Sequence, residues 1–110
     1  MTIQDLRDYG ANVDAGLERC MGNEAFYLRL VDMVKSEKGF DNLESGLSAH
    51  DLKAAFEAAH SLKGVLGNLS LTPLYEPISE ITELLRSQTD TDYSRLLGRI
   101  LEAKARFFAL

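Results

Sequence analysis

Apolar residues recur every three or four positions along almost the whole chain, and no run alternates β-branched with polar residues, so the pattern predicts helices and no sheet. A short segment from Ile3 to about Tyr9 and a second from about Asn12 to Met21 come first. Gly22-Asn23 then interrupts, with Asn23 placed to cap a longer helix that has Glu24 in its first turn. That helix carries Phe26, Leu30, Val31 and Val34 at helical spacing. The pattern resumes in Phe40, Leu43 and Leu47 beyond a weak point at Lys38-Gly39, where a bend or break is expected. Ser48-Ala49-His50-Asp51 reads as the next helix start, the Ser48 hydroxyl accepting from a first-turn amide and Asp51 favouring the positive helix end. From there Leu52, Phe56, Ala59, Leu62, Leu66 and Leu69 keep to one side of a helical wheel for about five turns.

Thr72-Pro73 resembles an N-cap followed by proline at the first helical position, and Leu74, Ile78, Ile81 and Leu85 form the next stripe. Pro77 forfeits one backbone hydrogen bond if that helix starts at Pro73, so a kink there, or a start delayed to Pro77, is expected. A polar turn from Ser87 to Asp92 precedes a last helix with Tyr93, Leu96, Leu97, Ile100, Leu101, Phe107 and Phe108. Short connections between amphipathic segments imply an all-α, antiparallel up-down four-helix bundle, with one or two short N-terminal helices packed at one end. Phe26, Phe40, Phe56, Phe107 and Phe108 are assigned to the core, with Phe56 also placed to line a rim one turn before His60.

The composition leaves this picture intact and narrows the partners. A chain of 110 residues, 45% hydrophobic and 26% charged, fits one globular domain spanning 1–110. With 12 Lys and Arg against 17 Asp and Glu, the net charge of -5 disfavours nucleic acid and anionic membranes. Cys20 stands alone and only two histidines are present, so neither a disulfide nor a metal-ligand set is expected. No apolar run is long enough to span a membrane, and the amino terminus is charged and amphipathic, so a soluble cytoplasmic protein is expected.

The unusual residues cluster on the third long helix. His60 falls on the wheel at the border of the apolar stripe, where one ring edge can be supported and the other left open. Lys63 is a helical neighbour whose ammonium can offset added negative charge, and Lys53 lies on the same strip. Gly64 and Gly67 each cost about 1 kcal/mol relative to alanine inside a helix, which asks for a compensating reason. Four and seven residues past His60, they leave bare surface for a bulky group or another protein. A neutral imidazole is a competent nucleophile near neutral pH. Set against this, Lys53 reads more readily as a solvated surface charge, Asn68 reads either as a helix terminator or as a site residue, and His50 reads as exposed and functionally silent.

The run His60-Ser61-Leu62-Lys63-Gly64, followed by Asn68-Leu69 and preceded by Phe26-Tyr27-Leu28-Arg29-Leu30-Val31, resembles the histidine-containing phosphotransfer (HPt) domains of phosphorelays, over nearly the whole chain. The resemblance implies that His60 accepts a phosphoryl group from a receiver-domain phosphoaspartate and passes it to another receiver in two-component signalling. It implies that Lys63 steadies the group, that Gly64 admits the receiver, and that Lys53, Phe56, Glu57, Gly67 and Asn68 serve docking. The implied partners are response-regulator receivers and hybrid sensor kinases. The chain would be a monomeric carrier rather than an enzyme, without a cofactor of its own and with Mg²⁺ in the receiver. Ser70 stands where the family usually has glycine, and Val65-Leu66 replace small residues, which bears on helix packing and not on the nucleophile. The alternative is a phosphorylation-independent helical adaptor. A general-base enzyme lacks a second catalytic group at suitable spacing.

Overall fold

The computed structural model describes residues 1–110 and is entirely helical. The helices are α1 (Ile3–Tyr9), α2 (Val13–Arg19), α3 (Glu24–Met33), α4 (Gly39–Ser48), α5 (Leu52–Asn68), α6 (Thr72–Arg86) and α7 (Ser94–Phe108). A 3₁₀ turn at Val34–Ser36 and the link Glu37-Lys38 supply the break expected before Gly39. Asn12 and Asn23 cap α2 and α3 through side-chain oxygens that accept from Ala15 and Phe26 amides.

Helices α4 to α7 pack as successive neighbours. Across α4 and α5, Gly39 faces Leu62 and Gly46 faces Ala55; across α5 and α6, Lys63 reaches Glu83 and Gly67 abuts Tyr75. Across α6 and α7, Glu80 meets Arg99 while Pro73 shares a cleft with Arg106. Residue numbers rise on one helix as they fall on the next, so each pair runs antiparallel. Lys104 on α7 returns to α4, its ammonium 3.9 Å from the Asp41 carboxylate and over the Phe40 ring, which closes the bundle. Phe40, Leu43, Leu62, Leu66, Leu74, Ile78, Ile81, Leu85, Ile100 and Phe107 fill the interior. Burial of each such side chain contributes about 1.5–3 kcal/mol. The molecule is elongated, 41 × 23 × 19 Å, with α1 to α3 gathered at the end where α5 stops. There the Tyr9 hydroxyl donates to the Ala103 carbonyl and the Tyr27 hydroxyl to the Leu69 carbonyl, each at 2.8 Å.

Several local expectations are corrected. Ser48 does not open α5; it is the last residue of α4, and Asp51 is the cap, its carboxylate accepting from the Ala54 amide at 3.1 Å. His50 takes a left-handed φ of 54°, and the Asp51 amide donates back to the Gly46 carbonyl at 2.8 Å. This tight reversal works because Gly46 has no Cβ: one built there would lie 2.8 Å from the Ala55 nitrogen. Consequently Ala55, Ala58 and Ala59 are buried in α5 while Leu52 and Phe56 are only half-buried. With Ala59, which the expected stripe contained, Ala55 and Ala58, which it lacked, mark the closest helix approach.

Thr72 is the first helical residue of α6 rather than its cap, Pro73 is the second, and the helix continues through Pro77 to Arg86 without a delayed start. Of the five phenylalanines, only Phe40 and Phe107 are in the core; Phe26 and Phe108 are 43% and 39% exposed. On α3 the buried positions are Tyr27 and Val31, with Val34 following, so the buried stripe lies one residue away from Phe26. Tyr27 occupies that place because Gly16 of α2 leaves room for its ring; a Cβ at Gly16 would lie 2.5 Å from it.

Candidate functional site

The longest helix, α5, is anchored on its inner face by Ala55, Ala59, Leu62 and Leu66, which fixes the direction in which its outer residues point. His60 is on that outer face and exposed. Its imidazole stacks on Phe56, one turn earlier, with ring centroids 5.5 Å apart and planes inclined by 23°. The Arg86 guanidinium of α6 covers the same Phe56 at 5.0 Å from the ring centre. His60 is thus backed on one side by an aromatic plate that α6 holds in place.

Lys63 is not free. Its ammonium donates to one Glu83 oxygen at 3.1 Å, while Arg86 donates to the other at 3.0 Å. The two donors, Lys63 first, hold the Glu83 carboxyl below its ordinary range. Lys63, one turn from His60, and Arg86 share the single Glu83 carboxylate, so this cluster of two cations and one anion is net positive in a chain whose net charge is -5.

The two glycines have different reasons. A Cβ at Gly64 would meet nothing within 4 Å, so that surface is open, as its place beside His60 suggests. A Cβ at Gly67 would lie 3.2 Å from the Tyr75 ring; this glycine admits a side chain of α6 and is not bare surface. That corrects the expectation of cleared space at Gly67. The close approach of α5 and α6 also survives Ser70, Val65 and Leu66.

An open cleft of about 620 Å³ runs from His60 toward the end of α5. Its wall comprises His60, Lys63, Gly64, Gly67 and Asn68 of α5, Asn12, Ala15 and Arg19 from the amino-terminal segment, and Ser70, Thr72 and Tyr75. None is acidic. Of the residues expected to serve docking, Gly67 and Asn68 lie in this cleft, and Phe56 touches His60 from outside it. Glu57 is separated from it: it borders a different depression, between α4 and α5, with Asn42 and Ala54. Lys53 is exposed and outside the cleft.

Arg19, Tyr75, Glu83 and Arg86 were not legible as site residues. The Glu83–Arg86 pair has helical spacing, but its place beside His60 depends on the register of α6 against α5. Arg19 had one indirect signal in Ser70. Ser70 takes a left-handed φ of 56° in the motif that ends α5, where glycine carries no steric cost. The Leu71 amide donates to the Leu66 carbonyl and the Ser70 amide to the Gly67 carbonyl, completing that motif. Arg19 donates to the Ser70 hydroxyl at 2.7 Å and to the Gly67 and Asn68 carbonyls at 3.2 and 3.3 Å. The Asn68 side chain plays no part in this termination; the left-handed residue is Ser70.

No group of three or more His, Cys, Asp or Glu side chains is placed to hold a metal ion, and no helix is long and apolar enough to cross a membrane. What the fold and site define is a helical bundle with one histidine on an exposed face, and a lysine and an open glycine beside it. The family model of the Hpt domain matches residues 33–107, and the chain belongs to that family. No curated protein and no solved structure matches the chain significantly. The family serves phosphotransfer in two-component signalling, with receiver domains and kinases as its partners. The match takes in α4 to α7 and leaves α1, α2 and most of α3 outside.

Proposed function

We propose that this chain is a phosphorelay intermediate that accepts a phosphoryl group on His60 from the phosphoaspartate of one receiver domain and delivers it to another. The observation that carries the reading is the juxtaposition at His60: an exposed imidazole on a helix with a buried inner face, an ammonium one turn on, and no side chain at Gly64. A ring-nitrogen lone pair attacks phosphorus; the N–P bond forms as the P–O bond to the aspartyl group breaks, and that electron pair leaves on the receiver's carboxylate. The reverse step, with a second receiver's carboxylate as nucleophile, empties His60.

Phe56 limits rotation of the ring, Lys63 offsets the charge of the transferred group, and Gly64 lets the receiver's reacting atoms come close. The chain acts as a monomeric carrier, and the Mg²⁺ that assists transfer belongs to the receiver. The test is incubation with a panel of radiolabelled phosphoreceivers. Wild type should take acid-labile label from at least one, and a folded His60→Gln variant should take none. Label on the variant, or none on wild type from any receiver, overturns the reading; in the second case receiver binding without transfer would support the adaptor alternative.

A further inference from the structure

We propose that Arg19 of α2 is the second cationic contact for the docked receiver, so that the amino-terminal helices, and not the bundle alone, determine which receivers dock. The inference rests on the phosphorelay reading and extends it to a segment outside the residues that match the family model. In a chain with five more acidic than basic residues, the cleft beside His60 is lined by Arg19, Lys63 and His60 and by no carboxylate. Arg7, Arg86 and Arg99 each have a carboxylate partner; Arg19, Arg29, Arg95 and Arg106 have none, and of these four only Arg19 borders the cleft beside His60. One guanidinium nitrogen, Nη1, makes all of its bonds, to Gly67, Asn68 and Ser70. The N–H donors on Nη2 and Nε have no acceptor in the protein.

This arrangement does two things at once. The bonds to the last carbonyls of α5 neutralise the negative end of that helix and hold the long side chain in one place. A cation fixed in this way has already lost its rotamer freedom, so less ordering remains to be done when a partner arrives. The occupant it fits is an anionic group on the rim of the receiver that presents the acyl phosphate: a carboxylate beside the phosphorylated aspartate, within one cleft length of His60.

A cap and a docking residue predict different kinetics. Transfer into His60 from the receiver that labels it fastest would be measured for wild type, Arg19→Lys, Arg19→Gln and Arg106→Gln, at low and moderate salt. Arg106 removes the same charge from the separate cleft between α6 and α7. Arg19→Gln should raise KM by about five-fold with little change in kcat, and should flatten the salt dependence of kcat/KM. Arg19→Lys should recover most of the loss, and Arg106→Gln should leave KM within about two-fold of wild type. If Arg19→Gln lowers the melting temperature but leaves KM and its salt dependence unchanged, Arg19 is a helix cap only. An equal loss in Arg106→Gln would reduce the effect to net charge and also overturn the proposal. Failure of wild type to accept label is a different result, and removes the phosphorelay reading itself.

Discussion

At the scale of single residues, the site is governed by which group holds each charged side chain. Glu83 holds Lys63 at 3.1 Å, and in the proposed phosphorelay a phosphoryl group on His60 has to compete for that ammonium. Glu83→Gln should therefore shift the equilibrium between phosphoreceiver and phospho-His60 toward His60 by about two- to five-fold, the scale of one exposed ion pair. Partition of label at equilibrium measures it, and the shift should vanish in a Lys63→Met background. The same contact has a pH signature. The Glu83 carboxyl lies below its ordinary value of 4.5, so its contribution is complete above that value and is lost as pH falls through the lower folded-state value. NMR titration of the Glu83 carboxyl should show its midpoint rise toward 4.5 in the Lys63→Met variant.

Ser70 is a second residue-scale case, with strain and a hydrogen bond on opposite sides. Its left-handed backbone costs about 1 kcal/mol relative to glycine, while the hydroxyl accepts from Arg19. Ser70→Ala keeps the strain and loses the bond, and Ser70→Gly loses both. Chemical denaturation should find Ser70→Gly more stable than Ser70→Ala by about 1 kcal/mol. Equal stabilities would mean that the left-handed backbone carries no such strain.

At the scale of helices, the glycines of α4 and α5 look alike in sequence and should behave oppositely. Gly64→Ala adds a methyl group where nothing lies within 4 Å, so the folded protein should gain up to about 1 kcal/mol from helix propensity. Phosphotransfer should nevertheless slow, because in the proposed mechanism the receiver approaches over that surface. Gly46→Ala would push a methyl group against the Ala55 backbone at 2.8 Å and should cost about 1–3 kcal/mol. Thermal melts of both variants beside a transfer assay separate the two uses of glycine; a destabilised Gly64→Ala would refute the open-surface account. The same logic explains why α5 buries Ala55 and Ala58 beside the expected Ala59, while Leu52 and Phe56 are only half-buried: closest approach selects for the absence of side chain.

At the scale of the whole molecule, the amino-terminal helices are fastened to the bundle by tyrosine hydroxyls. Tyr9 donates to the Ala103 carbonyl, and burial pushes its phenol up to about 12, with Arg106 opposing. The folded state therefore resists ionising Tyr9 more than the unfolded chain does. Stability that is complete below pH 10 should fall as pH rises toward 12. Tyr9→Phe should make the decline between these values shallower, read from denaturant midpoints as a function of pH. If it stays as steep, the decline belongs to other groups, Tyr27 among them, whose phenol is also raised by burial.

The sequence by itself determined the helical class, most helix positions, the break before Gly39, the Asn23 cap, and the prominence of His60, Lys63 and Gly64. All of these are local: a hydrophobic period, a capping side chain, or a motif within five residues of one helix. Boundaries went astray where the deciding contact was distant. Ser48 and Asp51 are both good caps, and only the packing of Gly46 on Ala55 selects between them. Phe26 and Tyr27 are both large and apolar, and only the gap at Gly16 decides which turns inward.

The tertiary structure alone decided that Lys63 is held by Glu83, that Gly67 receives Tyr75, that Glu57 faces away, and that Arg19 reaches the cleft from 41 residues before His60. The physical reason is common to them. Each depends on the register and rotation of one helix against another, which are set by the summed packing of many buried side chains. No periodicity within a single helix records that sum.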